Sequence, residues 1–510
     1  MSRLPAPCRT SSLPLLAAAI WALAPLAAAA QTGAAEVWAE WQAGAAEAGQ
    51  TLTAEVTETA EGLVLENLAS GSVEDDVVTT AQVDRVALTE RGDGTLSVEV
   101  SNPYTLSVTF PVEDEDAPEG AEEALVTVGL LLTHEGLDVT VAGTPEARRY
   151  DYSADVLTLV EGAVTRADGE PTAMIDLEVV ARDVQSDLAL TGTAEAGRFA
   201  TAGSTGSVTG RLEVEAPADE GDELRRLAVT FALGDLATEA EGTRRALGAG
   251  GLPDGAEIES AITYGMSQVE IALREPEREF DASFANEGGS LGFTVSDDRI
   301  AYDIAATAPR SRVSGPDLPA PVEIAAASSA LSFSLPIVAS ETTSEALLRI
   351  DYRDVVFGEA LWATIDPAGQ VPRDPLTLIL DATAQVRLLA DLMSAEAMEM
   401  EGPVGALRAL TVSELELSYG DASLTGTADV TFRPVEAMPE PVGQADLRLS
   451  GGNALLEVLE EAGLVSPEQA AVARGVAGVF ARPGPRPDTL ESTIEFLEDG
   501  TITANGLTLQ

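Results

Sequence analysis

The chain has 510 residues, with 85 acidic against 29 basic side chains and one histidine, for a net charge of −56. Every basic residue is arginine, and the single cysteine is Cys8. Such a surface repels nucleic acid and anionic lipid headgroups, and beyond Cys8 there is no thiol for a disulfide or a thiolate metal site. A solvated, salt-tolerant surface accounts for the charge; binding of Ca²⁺ or a basic partner is the sharper alternative.

Residues 1–30 read as a signal peptide. Arg3 and Arg9 supply a positive start, residues 13–26 an apolar core, and Ala28, Ala29 and Ala30 a small-residue cleavage site before Gln31. The core is too short for a membrane span, and Pro14 and Pro25 interrupt it. The expectation is a periplasmic protein cleaved after Ala30, with no transmembrane segment left. Residues 31–247 read as an N-terminal β-rich half and 256–510 as a C-terminal one, divided at the glycine-rich stretch 248–255.

Residues 34–48 carry Val37, Trp38, Trp41, Ala45 and Ala48 on one helical face, with Gly49 as the stop. A tryptophan pair at this spacing suits sugar stacking, but equally a helix docked on a sheet. The period then changes to two. Val83, Arg85 and Ala87 alternate with Asp84, Val86 and Leu88, and turns at Arg91–Gly94 and Asn102-Pro103 predict an antiparallel meander. The acidic stretch 113–123 reads as an exposed loop. Further strands are predicted over 125–133, 137–141, 150–159, 175–181, 188–194, 208–215 and 227–233, then a helix over 235–247. Residues 257–275 read as one long strand or a broken pair, 290–304 as a hairpin, and the proline-rich 308–322 as a loop. The pentapeptide Leu-Thr-Gly-Thr-Ala occurs at 190–194 and again at 424–428, a weak sign of two related halves.

The most individual stretch is 355–389. Trp362 sits in a short helix, Asp366, Pro367 and Gly369 form a turn, and Pro372, Asp374 and Pro375 lead into a buried strand from Leu376. It reads as a structural motif. A helix is expected over 388–400, with Met393, Met398 and Met400 as core filler. Near the end, strands over 410–418, 424–432 and 444–449 precede two helices within 454–480, the second capped by Ser466 and Gln469. A closing pair of strands follows, with a turn at Asn505-Gly506.

Three stretches carry a family resemblance: EVWAEWQAGAAEAGQTLTAE (36–55), LWATIDPAGQVPRDPLTLILD (361–381), and ADLRLSGGNALLEVLEEAGLV (445–465) with the closing DGTITANGLTL. Together they resemble the domain of unknown function family 2125 of the Gram-negative cell envelope. The resemblance implies a single β-rich envelope architecture and no transferable activity, cofactor or catalytic residue. The run of amphipathic strands is also similar in style to AsmA-type envelope proteins linked to lipid transport.

The catalytic inventory is thin. A Ser-His-Asp triad would have to use His134, and no nucleophile elbow is present. Zinc sites lack histidine pairs, and without lysine there is no Schiff base or phosphate-loop lysine. The richest cluster for Ca²⁺ is Glu113, Asp114, Glu115 and Asp116, outside any EF-hand pattern. No catalytic, cofactor-binding or metal residue is assigned, and no cofactor is implied. The expected fold is mainly β: large curved antiparallel sheets of many strands with a few packed helices. The expected role is non-catalytic: binding a lipid or other apolar ligand, binding an envelope protein partner, or acting as scaffold. No nucleic acid is expected. The alternative is a carboxylate-based hydrolase of envelope carbohydrate. An apolar lining on the sheet favours the first reading, and close carboxylates in a cleft favour the second.

Overall fold

The computed structural model describes residues 32–74, 77–112, 124–166, 174–193, 196–217, 224–247, 255–276, 278–392, 394, 397, 400, 402–433 and 440–509. Among them, 28 strands join in an antiparallel sheet and four α-helices are present, so the mainly β expectation holds. The chain forms two compact units, Met1–Gly203 with Thr243–Pro253, and Ser204–Gly242 with Asp254–Gln510.

The first unit opens with helix α1 (Ala34–Glu47). Strands β1 (Thr51–Thr59), β2 (Gly62–Glu74), β3 (Val77–Glu90), β4 (Leu96–Val100) and β5 (Tyr104–Val112) follow as the predicted meander. Then come β6 (Ala124–Glu135), β7 (Asp138–Thr144), β8 (Ala147–Arg166) and β9 (Met174–Thr191); β10 (Arg198–Pro217) has residues in each unit. Long strands divide their pairing: β3 meets β5 through residues 78–83 and β4 through 86–90, and β8 likewise serves β7 and β6. Helix α1 lies on β1 to β3 and buries Val37, Trp38 and Trp41, as the spacing predicts. Its N-cap is Gly33, which has no side chain, so the Glu90 carboxylate of β3 accepts the free Ala34 N–H at 2.9 Å. Leu65, Val86, Leu96 and Val141 are wholly buried and form a dry core.

The second unit continues with β11 (Leu224–Thr243), β12 (Ile258–Tyr264), β13 (Met266–Glu275), β14 (Arg278–Asn286) and β15 (Gly288–Val295). Next are β16 (Arg299–Thr307), β17 (Arg310–Ser314), β18 (Val322–Ala325), β19 (Ser328–Pro336) and β20 (Ser344–Phe357). Helix α2 (Glu359–Ile365) precedes β21 (Leu376–Leu388), β22 (Gly405–Tyr419), β23 (Ala422–Arg433) and β24 (Glu440–Ser450). Helices α3 (Gly452–Glu461) and α4 (Pro467–Phe480) lead to β25 (Arg482–Pro483), β26 (Thr489–Phe496), β27 (Ile502–Ala504) and β28 (Leu507–Thr508). The predicted Ser466–Gln469 capping box starts α4.

Successive strands of this unit bend at matching places. The run 258–275 breaks at Gly265, 278–295 at Glu287, 299–314 at Ala308, and β20 bends at Asp354. Ala308 and Asp354 adopt φ of 47° and 53°, the left-handed geometry of a bulge. One inserted residue shifts the alternation by one, so the apolar side chains stay on the same side through the bend. Tyr264 on one side of Gly265 is followed by Val269, Ile271 and Leu273 on the other; Phe284 before Gly288 is followed by Leu291 and Phe293.

Three expectations need correction. Residues 235–247 are not a helix: β11 runs on to Thr243, and only Arg244–Leu247 forms a 3-10 turn. The alanine- and leucine-rich composition favours helix, but residues 237–242 are claimed by the β12 ladder. The loop over 308–322 contains β17, which pairs with β14 between flanking prolines. The start of the helix expected over 388–400 is overtaken by β21, which runs to Leu388; Ala397 is helical, and Met393 and Met398 lie outside the described residues, as do the stretches 1–30, 113–123 and 248–254, read from sequence as a signal peptide, an acidic loop and a boundary.

Candidate functional site

One face of the second unit carries an apolar row across nine of its strands. Ile262, Leu291, Ile304, Leu331, Ile350, Leu380 and Leu415 stand directly opposite one another on β12, β15, β16, β19, β20, β21 and β22. Partners in register share a face, so this is one continuous row. It extends through Gly426 and Leu447 on β23 and β24. A parallel row holds Phe293, Tyr302, Phe333 and Leu348; the three rings meet at a tilt, with centroids 4.7 Å (Phe293 to Tyr302) and 5.2 Å (Tyr302 to Phe333) apart. At about 4.8 Å per strand, nine strands give an apolar band roughly 40 Å long.

This band is not a closed core. Ile262, Leu291 and Ile304, neighbours in one row, are 36%, 43% and 44% exposed, and Leu348, Tyr352 and Leu417 in adjoining rows are exposed to a similar degree. Single exposed aliphatic residues are ordinary on a protein surface, but a contiguous row of them is not.

The opposite face is polar and carries ion pairs such as Arg349–Asp381 and Arg353–Asp351, both at 2.8 Å. A hollow of about 800 Å³ lies there, lined by Thr411, Asp429, Gln444, Asp446, Glu495 and Glu498. Both oxygens of Asp446 are engaged, by Thr493 at 2.7 Å and Gln444 at 2.6 Å, and Glu495 accepts from Thr503 at 3.0 Å.

The individual stretch folds into a clasp. Asp366 ends α2, its amide donating to the Trp362 carbonyl at 2.7 Å. Its carboxylate is covered by its own turn, close beneath the surface, and accepts from the Val371 amide and the Arg373 guanidinium, both at 2.8 Å. Arg373 first, then the Val371 amide, hold the Asp366 pKa down to about 2. Pro367 fills the second turn position, and Gly369 closes the turn at φ 63°, where only glycine is unstrained. The Arg373 guanidinium lies 4.5 Å over the half-buried Trp362 ring, which meets Phe357 edge-on. The Pro372 carbonyl accepts from the Tyr419 hydroxyl, and Asp374 packs so close to Gly420 that a Cβ there would meet its Oδ2 at 2.5 Å. Pro375 is exposed just ahead of β21. The structure thus brings Trp362, Asp366, Pro367, Gly369, Pro372, Asp374 and Pro375 together around Arg373, a residue the sequence reading did not single out. Its place seven positions after Asp366, behind a proline, was the available signal. The Asp366 carboxylate and the Arg373 guanidinium are both spent on the turn itself.

His134 ends β6. Its Nε2 lies 3.0 Å from the Val100 carbonyl oxygen, and its amide donates to Asn102 at 2.9 Å. Among the described residues no three His, Cys, Asp or Glu side chains converge as a metal site, and no helix is long and apolar enough to cross a membrane. The cluster Glu113–Asp116 lies outside the described residues.

No curated protein and no solved structure matches the chain. Residues 266–509 match the family model described as an uncharacterized protein conserved in bacteria (DUF2125). The stretches 361–381, 445–465 and 499–509 lie within the match, and 36–55 lies before it. The match spans 244 of the 510 residues and supports the resemblance of that part of the chain to the DUF2125 family of uncharacterized bacterial proteins.

Proposed function

We propose that the protein is exported to the periplasm and binds the acyl chains of a lipid, without catalysis, along the apolar face of its second unit. The row Ile262, Leu291 and Ile304, exposed and in register, carries this reading. Acyl chains suit a band of aliphatic and aromatic side chains that offers no charged partner along its rows. The acidic surface elsewhere favours a lipid whose headgroup is not anionic. Hydrolysis of carbohydrate would need the carboxylates of the polar hollow. Asp429, Asp446 and Glu498 are exposed there, and nothing shields a reacting sugar from water. A protein partner on the same face would serve a scaffold role instead.

The test starts from protein isolated from the periplasm of its native cells. N-terminal sequencing should read Gln31, and native mass spectrometry followed by solvent extraction should show a co-purifying lipid. Purified protein should also carry fluorescent phosphatidylethanolamine through gel filtration, and Leu291→Asp with Ile304→Asp should abolish that co-elution while the circular dichroism spectrum stays that of the folded sheet. Lipid-free native protein that ignores the probe would refute the lipid reading, and a retained Met1 would refute export.

A further inference from the structure

Helix α4 is packed the reverse of an ordinary amphipathic helix. At 3.6 residues per turn, Ala470, Arg474 and Ala477 fall on one face and Val472, Val476 and Val479 on the opposite one. The first face is the one turned to the protein: Ala470 is buried, Ala477 is half-buried, and Arg474 reaches Glu460 of α3 at 3.5 Å. The bulkier apolar side chains look outward. Val472, Val476 and Val479 are 65%, 52% and 55% exposed, and Phe480 at the end of the helix is 40% exposed. A surface helix normally hides such a stripe against the core.

Both ends of α4 are fixed, so the stripe does not belong to a fraying terminus. At the start, the Ser466 amide donates to Gln469 Oε1 at 2.8 Å and the Gln469 amide donates to Ser466 Oγ at 3.2 Å. At the finish, the Phe480 carbonyl accepts from the Ser492 hydroxyl at 2.6 Å and from the Asn505 side-chain amide at 3.1 Å. Polar contacts at the ends hold the helix, and the large apolar side chains are left over.

Charge indicates what covers them. Residues 469–487 contain Arg474, Arg482 and Arg486 and no acid, the longest acid-free run beyond residue 30 in a chain with 85 acidic against 29 basic side chains. Arg482 and Arg486 are exposed just past the end of the stripe. Asp488, which closes the run, is spent on α3, accepting from the Asn453 and Ala454 amides at 3.2 and 3.0 Å. Exposed charges more than about 8 Å away are largely screened at physiological salt, so these arginines outweigh the acidic remainder of the chain at this spot. An exposed apolar helix face with arginines at its margin suits the headgroup layer of a bilayer, with valine and phenylalanine among the upper acyl carbons and guanidinium groups on phosphates.

We infer that α4 docks the protein on a lipid bilayer carrying anionic headgroups, lying in the plane of the surface. At 1.5 Å per residue its 14 residues extend about 21 Å, too short to span. Two such stripes meeting face to face in a pair of copies would bring like-charged arginines together, whereas lipid phosphates complement them. The docking surface is separate from the apolar band across the strands, and the inference does not rest on that band binding acyl chains.

Vesicle flotation of the purified whole protein tests it. The protein should float with mixed phosphatidylcholine–phosphatidylglycerol vesicles and less with phosphatidylcholine alone. Val472→Ser combined with Val479→Ser should cut the bound fraction about tenfold with an unaltered circular dichroism spectrum, since both side chains are exposed. Arg482→Gln with Arg486→Gln should erase the preference for phosphatidylglycerol. Leu291→Asp with Ile304→Asp should float as the wild type does, so that failure of the acyl-chain reading and failure of this one are told apart. Protein that stays at the bottom of the gradient overturns the inference, as does flotation that survives the paired serine substitutions. So does a dimer in ultracentrifugation that those substitutions dissolve, because the stripe would then belong to a second copy.

Discussion

Leu65 and Val86 in the first unit, and Leu291 and Ile304 in the second, are the same kind of residue in the same kind of antiparallel register. The first two have essentially no exposed surface, and the second two keep about two-fifths of theirs. The difference is the cover: α1 lies over β1 to β3, whereas the row through β12, β15 and β16 remains in contact with solvent. Alternation makes a sheet face apolar, and what is laid over that face decides whether it becomes a core or a site.

Breaking the covered region should have the largest effect. Glu40 and Arg148, 3% and 1% exposed, form a two-pronged ion pair. Glu40→Ala leaves Arg148 buried and uncompensated, and should cost the first unit about 3–5 kcal/mol. Calorimetry that resolves two transitions should show the loss in one of them. A uniform drop in both would mean that the units unfold together.

The contrast sharpens with matched truncations. Leu65→Ala opens a cavity in a filled core and should cost about 2–5 kcal/mol. Leu291→Ala removes a side chain already 43% exposed, so roughly 1 kcal/mol is expected from the area it buries. Equal losses in urea unfolding would show that the face of the second unit is as closed as the core under α1.

The smallest effect concerns the clasp. Asp366 has a folded pKa near 2, below the roughly 3.9 of an unfolded aspartate. Its contribution is therefore present above about pH 4 and is lost as pH falls toward 2. The melting points of wild type and Asp366→Asn should differ at neutral pH and converge across that window. A constant gap would show that the carboxylate charge does not hold the turn.

The elements legible in sequence are those with local causes. Val37, Trp38 and Trp41 announced α1, Ser466 and Gln469 announced α4, and Asn505-Gly506, both at positive φ, announced the last turn. Residues 235–243 misled because their composition favours helix while distant strands supplied the pairing. The Glu40–Arg148 pair spans 108 positions and has no local trace. The clasp was half legible: its prolines and glycine fix the turn, but the Asp366–Arg373 bond needed the fold. The apolar face was legible as alternation on each strand. Its exposure was not, because exposure depends on whether another element comes to lie over it.

The bends of the second unit carry a consequence for how such a chain can change. Each bent strand touches mainly its two neighbours and keeps its own phase through a single extra residue. A whole bent hairpin is therefore a unit that can be gained or lost, lengthening or shortening the apolar band by about 10 Å without disturbing the rest. A single-residue deletion at a bend is different, since it turns half a strand inside out. Length variation in this fold should come in hairpins and rarely in single residues, making the band a ruler graduated in strand pairs.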